Sequence, residues 1–322
     1  MSKPVTILGI HKDPWHNTGA CIIKDDGKSQ NIAFLSEERL DRKKDSRNFP
    51  DLSIQACMKQ LNINSFDNFD MIIMDYIEND NWKIDEFKRK CRKDTFLNNI
   101  PENKIHTVNH HLLHASAVYF SSGFDDAAIL IIDGRGSLKE TQSLFVANGN
   151  KIDLIDKTDK IGIGLLYAAV THDIGWKILQ EGKTMGLAPY GENIRKNIYN
   201  FPHKYKGIIT DYSEFCEEGN YSIKQKHDKP KTFEDKARAA YEVQIECERA
   251  LLHLAKYAKT TGKKKLCISG GVGLNSVSNN KIRVNKPNLF EDIFINPAAS
   301  DTGIPFGAAL YGYHVLADKP IT

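Results

Sequence analysis

The sequence predicts an α/β protein of duplicated architecture, with two related lobes in one chain. Three observations carry this. The apolar, β-branched run "VTILGI" (5–10) passes through the polar turn "HKDPWHNTG" into a second run, "ACIIK" (20–24), which reads as strand, loop and strand. The same plan returns as "AAILIID" (127–133), the turn "GRGSLKET" and "QSLFVANG" (142–149). Finally, "KLCISGGVGLNS" (265–276) is a strand that ends in a glycine-rich turn and a helix start, a pattern typical of α/β nucleotide-binding folds.

The remaining elements fit between these units. In "FPDLSIQACMKQL" (49–61), Leu52, Ile54, Cys57, Met58 and Leu61 recur near helical spacing, and "FDMIIMD" (69–75) reads as a buried strand. A long helix precedes the glycine-rich turn. Across 236–262, Val243, Cys247, Ala250, Leu251, Leu254 and Ala258 form one apolar stripe, and Gly262 supplies the stop. The polar, aromatic-spotted segment 195–235 reads as an insertion that carries substrate contacts.

Bulk composition narrows the class. At 322 residues and 41% hydrophobic content the chain can fill a large core, divided here into a first lobe at 1–118 and a second at 119–322. The balance of 44 Lys+Arg against 41 Asp+Glu leaves +3, too little to argue for nucleic acid on net charge. Basic runs at 87–94, 224–231 and 262–266 read as solvated faces, or alternatively as a footing for DNA. The six cysteines include no C-x-x-C pair. With no signal-peptide pattern and no apolar run near bilayer length, the expectation is a reduced, cytoplasmic protein without membrane contact.

The chemistry concentrates in "VNHHLLHASAVYF" (108–120), which holds three of the 11 histidines within five positions. On a helix His110 and His114 share one face and can grip one metal ion, while His111 points elsewhere. Asp133, at the end of the next strand, strengthens the pair. Imidazole and carboxylate ligands suit iron, zinc or manganese without choosing among them. Two glycine turns follow apolar strands: "DGRG", with Gly134 and Gly136, and "GGVGLN", with Gly270, Gly271 and Asn275. Glycine lets backbone N–H groups approach a phosphate, although D-G and G-G are also ordinary turn dipeptides. In "NPAASDTGIPFGAALYG" (296–312), Asp301 reads either as a helix N-cap or as a functional carboxylate ahead of a closely packing, Ala-rich helix.

Taken in order, "GIHKDPWHNTGACI", "SEERLDRKKDSRNFP", "HHLLHASAVYF", "LIIDGRG", "EGKTMGLAPYG", "LCISGGVGLNSVSN" and "INPAASDTGIPFGAALY" resemble the N-terminal domain of the O-carbamoyltransferases of the nodulation and antibiotic-tailoring type, over about residues 5–315. The resemblance implies the actin-like ATPase fold of sugar kinases and heat-shock chaperones, with two stacked lobes around a nucleotide cleft. It implies His110, His114 and Asp133 as metal ligands, Asp301 as a further carboxylate, and iron as the ion, with magnesium a further candidate. Gly270, Gly271 and Asn275 match an adenosine-binding turn, Gly134 and Gly136 lie in the facing turn, and Lys183 is a candidate phosphate contact or else a loop cation. The activity implied is transfer of a carbamoyl group from carbamoyl phosphate, through a carbamoyl adenylate made with ATP, to an acceptor hydroxyl. The acceptor is a small metabolite, sugar or antibiotic, or a hydroxymethylated nucleotide in DNA. His16 is preferred to Asp13 as the base.

Some features depart from the resemblance. Asn17 stands where the family has Asp after the histidine, Ser137 where relatives often carry Glu, and Arg135 enters the turn. The chain ends near "HVLADKPIT", and the family's second, YrdC-like domain has no counterpart, so a companion subunit or a longer native protein is expected to complete it. The rival readings are a tRNA threonylcarbamoyl transferase-like enzyme and a non-catalytic ATP-binding regulatory module. The motifs at 37–50 and 185–191 favour the small-molecule branch over the first, and the histidine pair has no use in the second.

Overall fold

Two five-stranded sheets repeat one plan. The computed structural model describes residues 3–12, 16–77, 91–93, 95–217, 221–224, 228–285 and 287–321, so Asp13 and parts of two basic runs (87–90 and 94; 225–227) lie outside it. In the first sheet, β1 (Val5–His11), β2 (Gly19–Asp25) and β3 (Gln30–Ser36) form an antiparallel meander. Then β4 (Met71–Tyr76) and β5 (Ile105–Asn109) add in parallel on the other side of β1, giving the order β3-β2-β1-β4-β5. The second sheet does the same. Its meander is β6 (Asp126–Ile132), β7 (Gln142–Asn148) and β8 (Lys151–Thr158), and β9 (Lys265–Ser269) and β10 (Asp292–Ile295) add in parallel beside β6. The duplicated architecture expected from the strand pattern is therefore present, and it is an α/β arrangement.

Helices fill the layers. The stretch with helical spacing near 49–61 forms α1 (Asp51–Gln60), whose Ile54, Cys57 and Met58 pack on Leu8, Ile10, Ile22 and Ile72 at the outer face of the first sheet. Helix α2 (His110–Phe120) follows β5 directly and lies between the sheets. On the outer face of the second sheet lie α3 (Ile163–Asp173) and the long α5 (Phe233–Lys259), with α4 (Glu181–Leu187) between them in sequence. All six residues of the expected apolar stripe of α5 are buried, and Gly262 follows at φ +79°. After α6 (Ser276–Val284), α7 (Ile304–Leu310) returns across the molecule and packs on β1 and α2. The expected lobe division at 118 falls within α2.

Alternation along the strands decides what reaches the inner layer. In β1, Val5 and Ile7 join the inner core with α2 and α7, whereas Leu8 and Ile10 join the outer one. In β4 Ile73 faces inward, in β6 Ala127, Ile129 and Ile131, and in β9 Cys267. Carrying the same parity to the strand ends brings His11, Asp75, Asp133 and Ser269 into the layer where α2 begins. A period of two thus aims four polar groups from four strands at one helix.

The layer between the sheets is thin because glycines line it. A Cβ on Gly9 would lie 2.2 Å from Pro305 O, and one on Gly307 would lie 2.1 Å from Leu113 O. The described part of 195–235 is core-forming. Tyr199, Phe201, Tyr212 and Phe215 are buried with α5, and the hairpin pairing Lys204–Lys206 with Ile209–Asp211 is tied to it where Glu246 accepts the Tyr205 and Tyr212 hydroxyls. Among the described residues no helix is long and apolar enough to cross a membrane, and all six cysteines are buried and unpaired.

Gly307→Ala is expected to lower unfolding stability by about 2–3 kcal/mol, because a backbone oxygen occupies the space its methyl needs. Gly182→Ala, in α4 with nothing within 4 Å, is expected to be neutral or to stabilise by up to about 1 kcal/mol. Denaturant midpoints measure both, and matching midpoints for the two variants would disprove the close-contact account.

Candidate functional site

Helix α2 begins as β5 ends, with Asn109 as the hinge. Its side-chain oxygen accepts the Leu112 N–H, and its amide donates to Glu140. The otherwise orphaned His110 N–H donates to Ser137 Oγ, which in turn donates to Tyr76 O. Ser137, the departure noted in the sequence, thus joins β4, α2 and the turn after β6. His111 turns the other way, as expected: its Nδ1 lies 2.7 Å from Ser143 Oγ in β7, and its ring fills the space beside Gly136, where a Cβ would come 2.5 Å from Cδ2. Burial drives its basicity down to about 3, so it stands neutral.

His110, His114, Asp133 and Asp301 converge. All four are buried, and their donor atoms lie within 4.8 Å of one another. His110 Nε2 is 3.4 Å from Asp133 Oδ2 and 3.5 Å from Asp301 Oδ1, and His114 Nε2 is 3.3 and 3.4 Å from the same two oxygens. Such separations match ligands about 2.1 Å from a shared centre, whose mutual spacing in a tetrahedron is about 3.4 Å. Although close to two carboxylates, His114 Nε2 makes no hydrogen bond of acceptable geometry. His110 Nε2 makes only a long contact with Asp133 Oδ2, at 3.4 Å, so the donor atoms crowd around a common point while bonding one another weakly.

The surrounding hydrogen bonds explain why. His110 Nδ1 lies 2.9 Å from the buried Asp75 carboxylate, and His114 Nδ1 lies 3.3 Å from Ser269 Oγ, whose own proton goes to Ala299 O. Both Nδ1 atoms therefore donate, which leaves both Nε2 atoms facing anionic oxygens. A positive charge must sit among them, either a metal ion or an extra proton on an imidazole. Burial opposes ionisation of Asp133 and Asp301, yet the two histidines hold both carboxyls well below the usual range. Against the same burial, chiefly the Asp301 charge pushes His110 well above its ordinary value. Two imidazoles with two carboxylates form a donor set suited to a first-row transition ion, so the four residues fit the group that the sequence motifs imply.

Asp133 and Asp301 extend the cluster in opposite directions. Asp133 Oδ1 accepts the N–H groups of Gly134 (2.8 Å) and Gly271 (3.0 Å), joining the two glycine turns. The Gly136 N–H donates to Glu140 O and the Gly270 N–H to Ala299 O. The four amides that a phosphate cradle would use are thus bonded within the protein. Gly270 is required for another reason, since at φ +92° a Cβ would stand 2.3 Å from Ile132 O. Bare backbone remains at Gly134, where a Cβ would meet nothing within 4 Å. Asn275 accepts the Ser278 N–H as the N-cap of α6 and pairs with Gln244, which also takes the Tyr167 hydroxyl.

Asp301 makes no capping bond: α7 starts after Gly303 with no side-chain cap. Its Oδ1 faces His110 and His114, and its Oδ2 lies 3.6 Å from Nδ1 of the partly exposed His16. The acidic partner that Asn17 does not give His16 along the chain is thus supplied from residue 301, and Asn17 itself takes the left-handed conformation at φ 60°. Glu181 at the start of α4 is near enough for the His16 charge to be felt, although burial dominates and raises its carboxyl. Lys183 is exposed, donates to Gln180 Oε1 and lies 5.2 Å over the Trp176 ring.

Sequence reasoning missed Asp75 and His11. His11 Nδ1 lies 2.9 Å from both Asp75 oxygens, so that one carboxylate serves two rings. The signal was present: both residues close apolar strand runs, as Asp133 does.

The family profile described as "Carbamoyltransferase N-terminus" matches residues 81–310. Nodulation protein NolNO of Sinorhizobium fredii is 29% identical over 325 residues, covering 91% of this chain and 45% of that one. The chain spans about half the length of the curated relatives it matches. Among solved structures, T. kodakarensis HypF aligns with a TM-score of 0.54 at 12% identity, over 97% of this chain and 48% of that chain. A ROK hexokinase from Thermus thermophilus aligns with a TM-score of 0.51 at 11% identity, over 98% and 100%. At such identities the likeness is one of fold, that of the actin-like ATPases.

Metal-stripped protein is expected to gain stability when ferrous or zinc ion is added, by about 2.7 kcal/mol at a concentration 100 times the dissociation constant. His114→Ala should lose that gain and retain little metal on elemental analysis. Equal, near-zero metal in both after anaerobic, iron-supplemented preparation would dismiss the four residues as a cation site.

Proposed function

The chain belongs to the carbamoyltransferase N-terminus family, and from that premise we propose that it is an O-carbamoyltransferase acting from a carbamoyl adenylate on a hydroxyl acceptor. The observation that carries this reading is the contact of His16 with Asp301, which sets a partly exposed imidazole beside the buried donor group. One face of Asp301 belongs to the cation site and the other to the solvent side, where an acceptor can approach.

In this reading His110, His114, Asp133 and Asp301 hold the ion. When bound, it supplies positive charge that offsets the charge developing on the phosphate of the leaving nucleotide. His16 accepts the proton of the acceptor hydroxyl. As the acceptor oxygen bonds to the carbamoyl carbon, the bond from that carbon to the adenylate phosphate oxygen breaks, and AMP leaves. Asp301 Oδ2 orients His16 and stabilises the imidazolium that forms. The nucleotide lies along the cleft between the turns at 133–136 and 270–275. There the open backbone at Gly134 supports close approach, while the bonded amides of Gly136, Gly270 and Gly271 keep the turns rigid. Asn275 and Lys183 belong to this nucleotide region, Asn275 through its hold on the turn. ATP and carbamoyl phosphate are the sources of the adenylate, with iron and magnesium as candidate ions.

The acceptor is a hydroxylated metabolite, sugar or antibiotic, with hydroxymethylated DNA as the variant that the basic runs would serve. The donor group has no use in a non-catalytic nucleotide module, which supports the enzymatic reading over that rival.

The test supplies chemically prepared carbamoyl adenylate together with a panel of hydroxylated acceptors, and follows AMP release and the carbamoyl mass gain of the acceptor. Wild type should transfer, and His16→Ala should be slower by about 10²- to 10⁴-fold. Transfer at an unchanged rate in His16→Ala would remove the base assignment. Adenylate that binds but is transferred to no acceptor in the panel would count against the activity itself.

A further inference from the structure

We propose that Asp75 is the positioning residue of the donor group: it keeps a proton on His110 Nδ1 and so aims Nε2 at the point shared with His114, Asp133 and Asp301. The inference rests on the reading of those four residues as a cation site and makes the Asp75 contact a determinant of how tightly that site holds its ion.

Asp75 lies in the last part of β4, 2% exposed, with Oδ2 at 2.9 Å from His110 Nδ1. An ionised carboxylate can only accept, so the ring nitrogen facing it must donate. Without that acceptor the opposite arrangement wins. A proton on Nε2 would satisfy Asp133 or Asp301, at 3.4 and 3.5 Å, and the nitrogen lone pair would face away from the site.

The second ring is held more weakly. His114 Nδ1 faces a neutral hydroxyl, Ser269 Oγ, at 3.3 Å, whereas His110 faces a charged acceptor at 2.9 Å. His11 also anchors the carboxylate, its Nδ1 lying 2.9 Å from both oxygens. Asp75 is therefore clamped between β1 and α2 and cannot rotate to release His110 without breaking both contacts. The chain buries a histidine and an aspartate at the ends of β1 and β4 for this purpose. The trio His11, Asp75 and His110 also has the spacing of a ligand group, so a second bound ion is the rival outcome.

The probe is zinc added to the metal-stripped full chain, with affinity read by competition against a chromophoric chelator. Histidine ring protons are read by ¹⁵N correlation spectroscopy. Asp75→Asn replaces the charged acceptor by a neutral amide, one end of which donates rather than accepts, and should bind zinc about 10- to 100-fold more weakly than wild type. Ser269→Ala should lose less. Wild type should bind one zinc and show a proton on His110 Nδ1 both with and without the metal, a measurement that stands even where Asp75→Asn fails to fold. A bare His110 Nδ1 in either state, or unchanged zinc affinity in folded Asp75→Asn, overturns the role of Asp75. Two zinc ions per chain overturn it too, by making Asp75 a ligand. Wild type that takes up no zinc overturns instead the cation reading beneath it.

Discussion

The carboxylate of Asp133 is the constraint on which the rest of the site depends. One oxygen accepts N–H groups from both glycine turns, and the other faces the two histidines of α2. A buried negative charge is costly unless it is bonded and matched by positive charge. Asp133 meets the first need with backbone amides from two loops that lie 138 positions apart in the chain at their Gly271 contact, and the second with the imidazole cluster. Removing it would release both turns and unbalance the cluster in one step, so loop geometry and site chemistry are not separable in this protein.

The thin layer between the sheets makes that arrangement reachable. Helices α2 and α7 occupy it together, and they approach each other and β1 through Gly9 and Gly307 rather than through large side chains. Close approach sets Asp301, just before α7, within reach of a histidine pair on α2. It also brings the strand ends of both sheets to the same depth. The duplicated sheet plan supplies matching positions: the first strand of one meander ends at His11, and the first strand of the other is followed directly by Asp133. Small residues in the packing and polar residues at the strand ends are two parts of one solution.

Several elements were not legible because their sequence signal is weak for physical reasons. Strand β8 is exposed along much of its length and interleaves charges with its apolar residues, so it shows no continuous apolar run, and the short run Ile32–Leu35 of β3 follows an exposed polar start. Helix α3 is buried on nearly every side and therefore has no amphipathic stripe to count. The insertion at 195–235 looked like a polar segment, yet its aromatic residues are core, and its acidic anchor Glu246 sits on another element.

From the sequence alone came the α/β class, the duplicated strand plan, the long helix before the second glycine turn, and the shared helical face of His110 and His114. These follow from periodicity, which is local and survives in the order of residues. What the tertiary structure decided was partnership. It joined Asp301 to the histidines and gave His16 an acidic neighbour that Asn17 could not be. It also bonded the glycine amides internally and brought Asp75 between His11 and His110. Such contacts join residues tens to hundreds of positions apart. They depend on strand parity and on how closely two helices can approach, neither of which is written at any single position.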